Sequence, residues 1–147
     1  MKTFLLSLSV ALFAVSQIHA QKSAVCVSSG VAISGYDPVA YFNQGAAVRG
    51  DKKFAFHWQD ADWYFSTAEN QKSFSKAPEK YAPQYGGYCA YGASMGHKAT
   101  TDPQVWTIVD GKLYLNYNGA VRKMWAKDEK VRIGQADANW PKIKDKE

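Results

Sequence analysis

Pro83-Gln84-Tyr85-Gly86-Gly87-Tyr88-Cys89-Ala90-Tyr91-Gly92-Ala93-Ser94-Met95-Gly96-His97 concentrates the chemistry of this chain. It holds four of the eleven glycines, one of the two cysteines and one of the three histidines, so a functional site is sought here first. Gly86-Gly87 can take backbone angles closed to other residues and lets another backbone approach closely. Tyr88 and Tyr91 bring apolar rings with polar tips, able to pack and still reach a hydrogen-bond partner. Cys89, Met95 and His97 are the soft or borderline side chains that a copper or zinc ion selects.

The regions on either side bound what this centre can belong to. At 147 residues the chain is one domain in size, and 46% hydrophobic with 21% charged residues describes an ordinary globular protein. The aromatic share of 14% points to a core built on flat rings. Residues 1–20 stand apart. Lys2 is followed by an apolar run from Phe4 to Val15, then by Gln17-Ile18-His19-Ala20 with its small last residue. That pattern is a signal peptide, too short for a spanning helix, and it predicts a secreted or periplasmic protein that is not membrane-spanning. Its removal takes the 18 Lys and Arg to 17, against 13 Asp and Glu, a formal charge of +4. The basic residues are scattered and form no arginine stripe beside stacking aromatics, which excludes nucleic acid as the expected partner.

Cys26 and Cys89 both survive cleavage into an oxidising compartment. A disulfide closing that loop would stabilise by about 4 kcal/mol in the chain-entropy model. Spacing alone leaves both states open, the bonded pair and the two thiols.

Taken in order, 21–34 reads as an N-terminal arm, 35–141 as the folded domain and 142–147 as a charged tail. Asp37-Pro38 starts a short helix ending near Gly45, with the carboxylate as cap and proline at the first helical position. Lys53 to Trp58 alternates, placing Phe54, Phe56 and Trp58 on one strand face. Trp63-Tyr64-Phe65 returns as its hairpin partner. Ser66-Thr67-Ala68-Glu69 opens a helix to about Lys76, and a second helical turn covers Pro78 to Tyr81. Asp110-Gly111 is a two-residue hairpin loop that pairs Ile108 with Leu113 and Trp106 with Leu115 on a core face. Asn118 caps a helix carrying Val121, Met124 and Trp125, and Val131 to Asn139 continues as helix before Trp140-Pro141. Two separate hairpins with helices between them predict an α+β fold, a small antiparallel sheet with helices packed on it.

Several long strings then resemble the exported YHS-domain proteins. They are Gly35-Tyr36-Asp37-Pro38-Val39-Ala40-Tyr41-Phe42, Tyr64-Phe65-Ser66-Thr67-Ala68-Glu69-Asn70, and Pro78-Glu79-Lys80-Tyr81-Ala82-Pro83-Gln84-Tyr85-Gly86-Gly87-Tyr88-Cys89-Ala90. Asp110 to Asn118 and Ala136 to Pro141 extend the likeness over nearly the whole chain after residue 20. The resemblance implies the fold. Short YHS domains look like metal-binding modules whose cysteines would fall at Ala40, Ser66 and Asn70, none of which carries a thiolate. The Tyr-His-Ser string is absent too. The resemblance therefore implies no metal site at those positions, and a metal site here would be a different one.

Two functional readings follow. In one, the protein is a non-enzymatic exported binding protein. It would take a soft metal ion such as copper on Cys89, Met95 and His97, or a small ligand bordered by Tyr36, Asp37, Tyr88 and Tyr91. In the other it is a structural or interaction module for an envelope protein partner. His57, opposite the aromatic face of its strand, reads as a solvated side chain. No Gly-x-Ser-x-Gly, His-Glu-x-x-His or phosphate loop occurs, and no group stands ready to orient a Cys–His pair, so no enzyme is expected. Intact-mass measurement on protein from the native host is expected to give a chain starting at Gln21. A mass that retains Met1 to Ala20 would overturn the export reading.

Overall fold

The computed structural model describes residues 23–146. The expected signal peptide, the cleavage point before Gln21 and the last residue of the tail lie outside the described residues. The fold is α+β.

The arm does more than lie on the surface. It forms β1 (Val27–Ser28) and β2 (Val31–Ala32), joined by a turn at Ser29-Gly30 with both residues at positive φ. A short 3-10 turn (Ile33–Gly35) leads to α1 (Ala40–Asn43). β3 (Asp51–Trp58) and β4 (Ala61–Phe65) follow as an antiparallel hairpin. Gln59 and Asp60, at φ 50° and 55°, make a two-residue turn whose twist matches the strands. The sheet order is β1-β2-β4-β3, and β2 runs parallel to β4.

After β4 come α2 (Ala68–Lys76), α3 (Pro78–Tyr81), a 3-10 turn (Gln84–Gly87) and α4 (Ala90–Ser94). The second hairpin, β5 (Asp102–Val109) with β6 (Lys112–Asn116), stands as its own sheet. α5 (Gly119–Lys127) and α6 (Glu129–Ile143) close the chain. The expected hairpins thus form but do not join into one antiparallel sheet. The arm takes the place beside β4, and its direction makes that sheet mixed.

Local signals fix most boundaries. Thr67 Oγ1 accepts from Asn70 N at 3.1 Å, and Asn118 Oδ1 accepts from Val121 N at 2.9 Å, each satisfying a first-turn donor that the helix cannot. Across the Asp110-Gly111 turn, Ile108 pairs with Leu113 and Trp106 with Leu115, in the expected register. α6 runs on through Pro141 to Ile143, further than Asn139, and so absorbs the start of the expected tail.

The β5–β6 hairpin is buried on both faces. Leu113 and Leu115 face the larger core, with Trp63, Phe65 and Phe74 of the mixed sheet and α2. Tyr114 faces the other way, into a second core with Tyr85, Ala90, Ala93, Trp125 and Ala136. One hairpin is the shared wall of two apolar layers.

Asp37 ties the first half together. Its carboxylate is fully buried, and no ion pair among the described residues includes it. Oδ1 accepts from the backbone N–H of Val39 at 2.9 Å and Ala40 at 3.3 Å. Oδ2 accepts from Ser66 N at 2.8 Å, Ser66 Oγ at 2.6 Å and Asn70 Nδ2 at 2.7 Å. A buried charge is tolerated when its lone pairs are filled in this way. Asp37→Ala would leave these donors without an acceptor, and urea unfolding is expected to register a loss on the order of 4 kcal/mol. A loss below about 1 kcal/mol would mean that the network does not hold α1 to the β4–α2 corner.

Candidate functional site

The glycine-tyrosine stretch folds as a 3-10 turn followed by α4, and the reason lies in the arm. Gly86 has φ +61°, and a Cβ placed there would stand 1.8 Å from the carbonyl oxygen of Ala24. Only a glycine lets the two backbones meet. Cys26 N donates to Gly86 O at 2.8 Å, and Tyr88 Oη donates to Ser23 O at 2.8 Å. The close approach expected at Gly86-Gly87 is therefore made by the protein's own N-terminal arm.

Tyr85, at φ 56°, is held in the left-handed region that non-glycine residues seldom occupy. Its hydroxyl donates to Asp137 Oδ1 of α6 at 2.9 Å, and its ring packs at 5.9 Å from Trp140 and 6.0 Å from Tyr114. Tyr88 packs at 6.2 Å from Trp140. The two tyrosines thus clamp Trp140 while spanning from the arm to α6.

The expected metal ligands take up different surroundings. Cys89 is buried and its thiol donates to Asn116 Oδ1 at 3.6 Å. The same oxygen accepts from Tyr91 N at 3.3 Å, and Asn116 Nδ2 is buried with no hydrogen-bond partner. That group is an N–H donor and offers no lone pair to a cation. Met95 is 58% exposed, and its Sδ accepts from Arg132 Nη1 at 3.4 Å. His97 is exposed, with Nε2 close to Gly92. Cys89 and Met95 flank α4 at its two ends, about 9 Å apart along a helix axis. An ion shared by both sulfurs would require α4 to unwind. Among the described residues, no group of three or more His, Cys, Asp or Glu is placed to hold a metal ion. No disulfide joins Cys26 to Cys89.

The expected ligand-binding residues divide into two neighbourhoods. Tyr36 lies under the guanidinium of Arg49, 4.8 Å from its ring, and its hydroxyl accepts from Gln104 Nε2 at 3.3 Å. Asp37 sits in the network already described. Tyr88 faces the arm, and Tyr91 lies under Arg132 at 4.8 Å. His57 is exposed and its Nδ1 stands 2.8 Å from Asp62 Oδ1 across the β3–β4 hairpin. Ala40, Ser66 and Asn70, the positions of the cysteines in the resembled metal-binding pattern, all meet at Asp37. A hydrogen-bonded carboxylate occupies that meeting point.

Open space lies on the other side of the tyrosines. Two surface cavities, of about 590 and 460 Å³, share Gly86 and Trp140 as lining residues. Trp58, Asp137 and Glu79 border the smaller of the two, and none of them stood among the expected site residues. They come from three separate elements, β3, α3 and α6, and the tryptophan content could have flagged only Trp58.

No family model, no curated protein and no solved structure matches the chain. No helix among the described residues is long and apolar enough to cross a membrane.

Burial pushes the hydroxyls of Tyr41 and Tyr85 above the ordinary tyrosine range, with Asp137 adding to the effect on Tyr85. Those of Tyr88 and Tyr114 are pushed up to about 12, chiefly by burial, with Cys26 adding at Tyr88 and Asp137 at Tyr114. Below about pH 10 folded and unfolded chains both keep these protons, and the stability is fully present. Between about 10 and 12 the unfolded chain releases them first, so stability falls as pH rises. Melting temperature is expected to drop across that window, and Tyr88→Phe to soften the drop. A flat profile in the wild-type protein would contradict the assignment.

Proposed function

We propose that this protein is an exported, non-enzymatic interaction module of YHS-like build that works without a resident metal. The observation that carries the reading is the internal use of the glycine-tyrosine centre. Gly86 receives Ala24, Tyr88 holds Ser23, Tyr85 holds Asp137, the Cys89 thiol donates to Asn116, and Met95 receives Arg132. Each of these groups binds another part of the same fold, and of the expected metal ligands only His97 is exposed without a side-chain hydrogen bond to the rest of the described residues. What remains open to a partner is the surface beside it. Copper binding keeps one support, because Cys89 is not tied up in a disulfide.

Protein purified from the native host without an affinity tag is expected to contain no stoichiometric copper. Titrating Cu(I) against a competing chelator is expected to give the same result for wild type and Cys89→Ser. Photoreactive residues scanned over the surface in the native host are expected to give discrete adducts with another protein. Stoichiometric copper that disappears in Cys89→Ser, with no adduct at any position, would replace this reading with the metal-binding one.

A further inference from the structure

Two open cavities meet at Gly86 and Trp140, which line both. Asp60 and Asp145 border one part, and Glu79 and Asp137 the other, against Lys112 and Lys144. Four carboxylates face two ammonium groups in a chain whose formal charge is +5. A negative trough on a positive protein is complementary to a cationic occupant.

The walls are flat and held in place. Trp140 is half-buried and packed on Tyr85 and Tyr88. Trp58 is half-buried and packed on Trp63 at 5.8 Å and Phe74 at 5.7 Å. Pro83 and Pro141 add rigid surface between them. Each cavity has the volume of a ligand site, and the carboxylates are divided between them, two to each. That arrangement suits side chains leaving an extended backbone. Aromatic-walled grooves take proline-rich segments, which are already extended and lose little entropy on docking. Lysine or arginine in such a segment gains from both the carboxylates and the tryptophan faces.

We infer that the Trp58–Trp140 groove binds an extended peptide segment of a partner protein, rich in proline and carrying lysine or arginine. This rests on the interaction-module reading and names its partner chemistry. The occupant is supplied by another protein, and its positive charges lie over Asp60, Asp145, Glu79 and Asp137.

The test uses the purified protein and fluorescently labelled ten-residue peptides followed by anisotropy. A peptide alternating proline and lysine is expected to bind, and one with glutamate in place of lysine to bind at least tenfold more weakly. Neutralising three exposed carboxylates together, as Asp60→Asn, Glu79→Gln and Asp145→Asn, is expected to weaken the basic peptide at least tenfold and to flatten its salt dependence. These side chains lie outside both cores, and circular dichroism checks the fold of the variant. Unchanged binding in that variant, equal binding of the acidic peptide, or no binding at millimolar concentration would overturn the inference. Spermine binding as tightly as the peptide would overturn the peptide assignment in favour of a small polycation. Crosslinking in the native host separates this from the broader reading. Adducts from a photoreactive group at Ser75 but none at Lys112, on the groove, would sink the groove and leave the module standing. A loss of adducts at every position would sink both.

Discussion

The first half of this fold depends on one buried negative charge. Asp37 draws the start of α1, the end of β4 and the first turn of α2 to a single point. The geometry is demanding because a carboxylate out of water must have its lone pairs filled, and few arrangements of backbone and side chain can do so together. Serine and asparagine at 66 and 70 meet that demand with a hydroxyl and an amide. Ser66 stands just ahead of the extended Thr67 cap and Asn70 in the first turn of α2, and both reach the same carboxylate oxygen. The strand and helix flanking them are then fixed in direction, and the aromatic residues they carry meet in the larger core. Phe74 of α2 touches Phe56, Trp58, Trp63 and Phe65 of the sheet.

The second half is organised by the β5–β6 hairpin. A two-stranded ribbon is marginal alone, and this one is stabilised because both faces are covered. Leucine at 113 and 115 and tyrosine at 114 sort themselves to opposite sides by the two-residue period of a strand. The same alternation makes the hairpin the plate to which α4, α5 and α6 are fitted. Tyr114 stacks on Trp125, their ring centres 5.4 Å apart, and Asn139 Nδ2 donates to Ala93 O and Ser94 O at the end of α4. Aromatic contact and terminal capping together set the position of α6, and with it Trp140 and Asp137.

What could be seen in the sequence was whatever depends on near neighbours. The Asp110-Gly111 turn dictates its own register, and Asn118 caps its helix. The expected Ser66-to-Glu69 capping box gives way to a cap by Thr67, because Ser66 Oγ donates to Asp37. The local bonds of Asp37 to Val39 N and Ala40 N were legible because they are short-range, although α1 starts at Ala40 with Val39 at its cap position and not at Pro38. Its bonds to Ser66 and Asn70 cross 29 and 33 residues and left no local trace. β1 and β2 are two residues each and carry too little pattern to separate from an arm. Pro141 looked like a stop, yet it lies in the last turn, where the freed carbonyl of exposed Asp137 can turn to solvent. The candidate site divides along the same line. Cys89, Met95 and His97 are close in sequence, but a helix between the first two carries them apart. Trp58 and Trp140 are far apart in sequence and share one groove.

The arm's seat against Gly86 has a consequence in time. Ser23 is bonded to Tyr88, 65 positions further along, so the earliest-made part of the domain cannot settle until more than half of it exists. Contacts of such long range close late and at an entropic cost that short loops avoid. Until then Val25, fully buried in the finished fold, remains in water. The arm's seat exists only once Tyr88 has been made, and both ends of the domain then border one cavity, Ser23 and Ala24 beside Lys144 and Asp145.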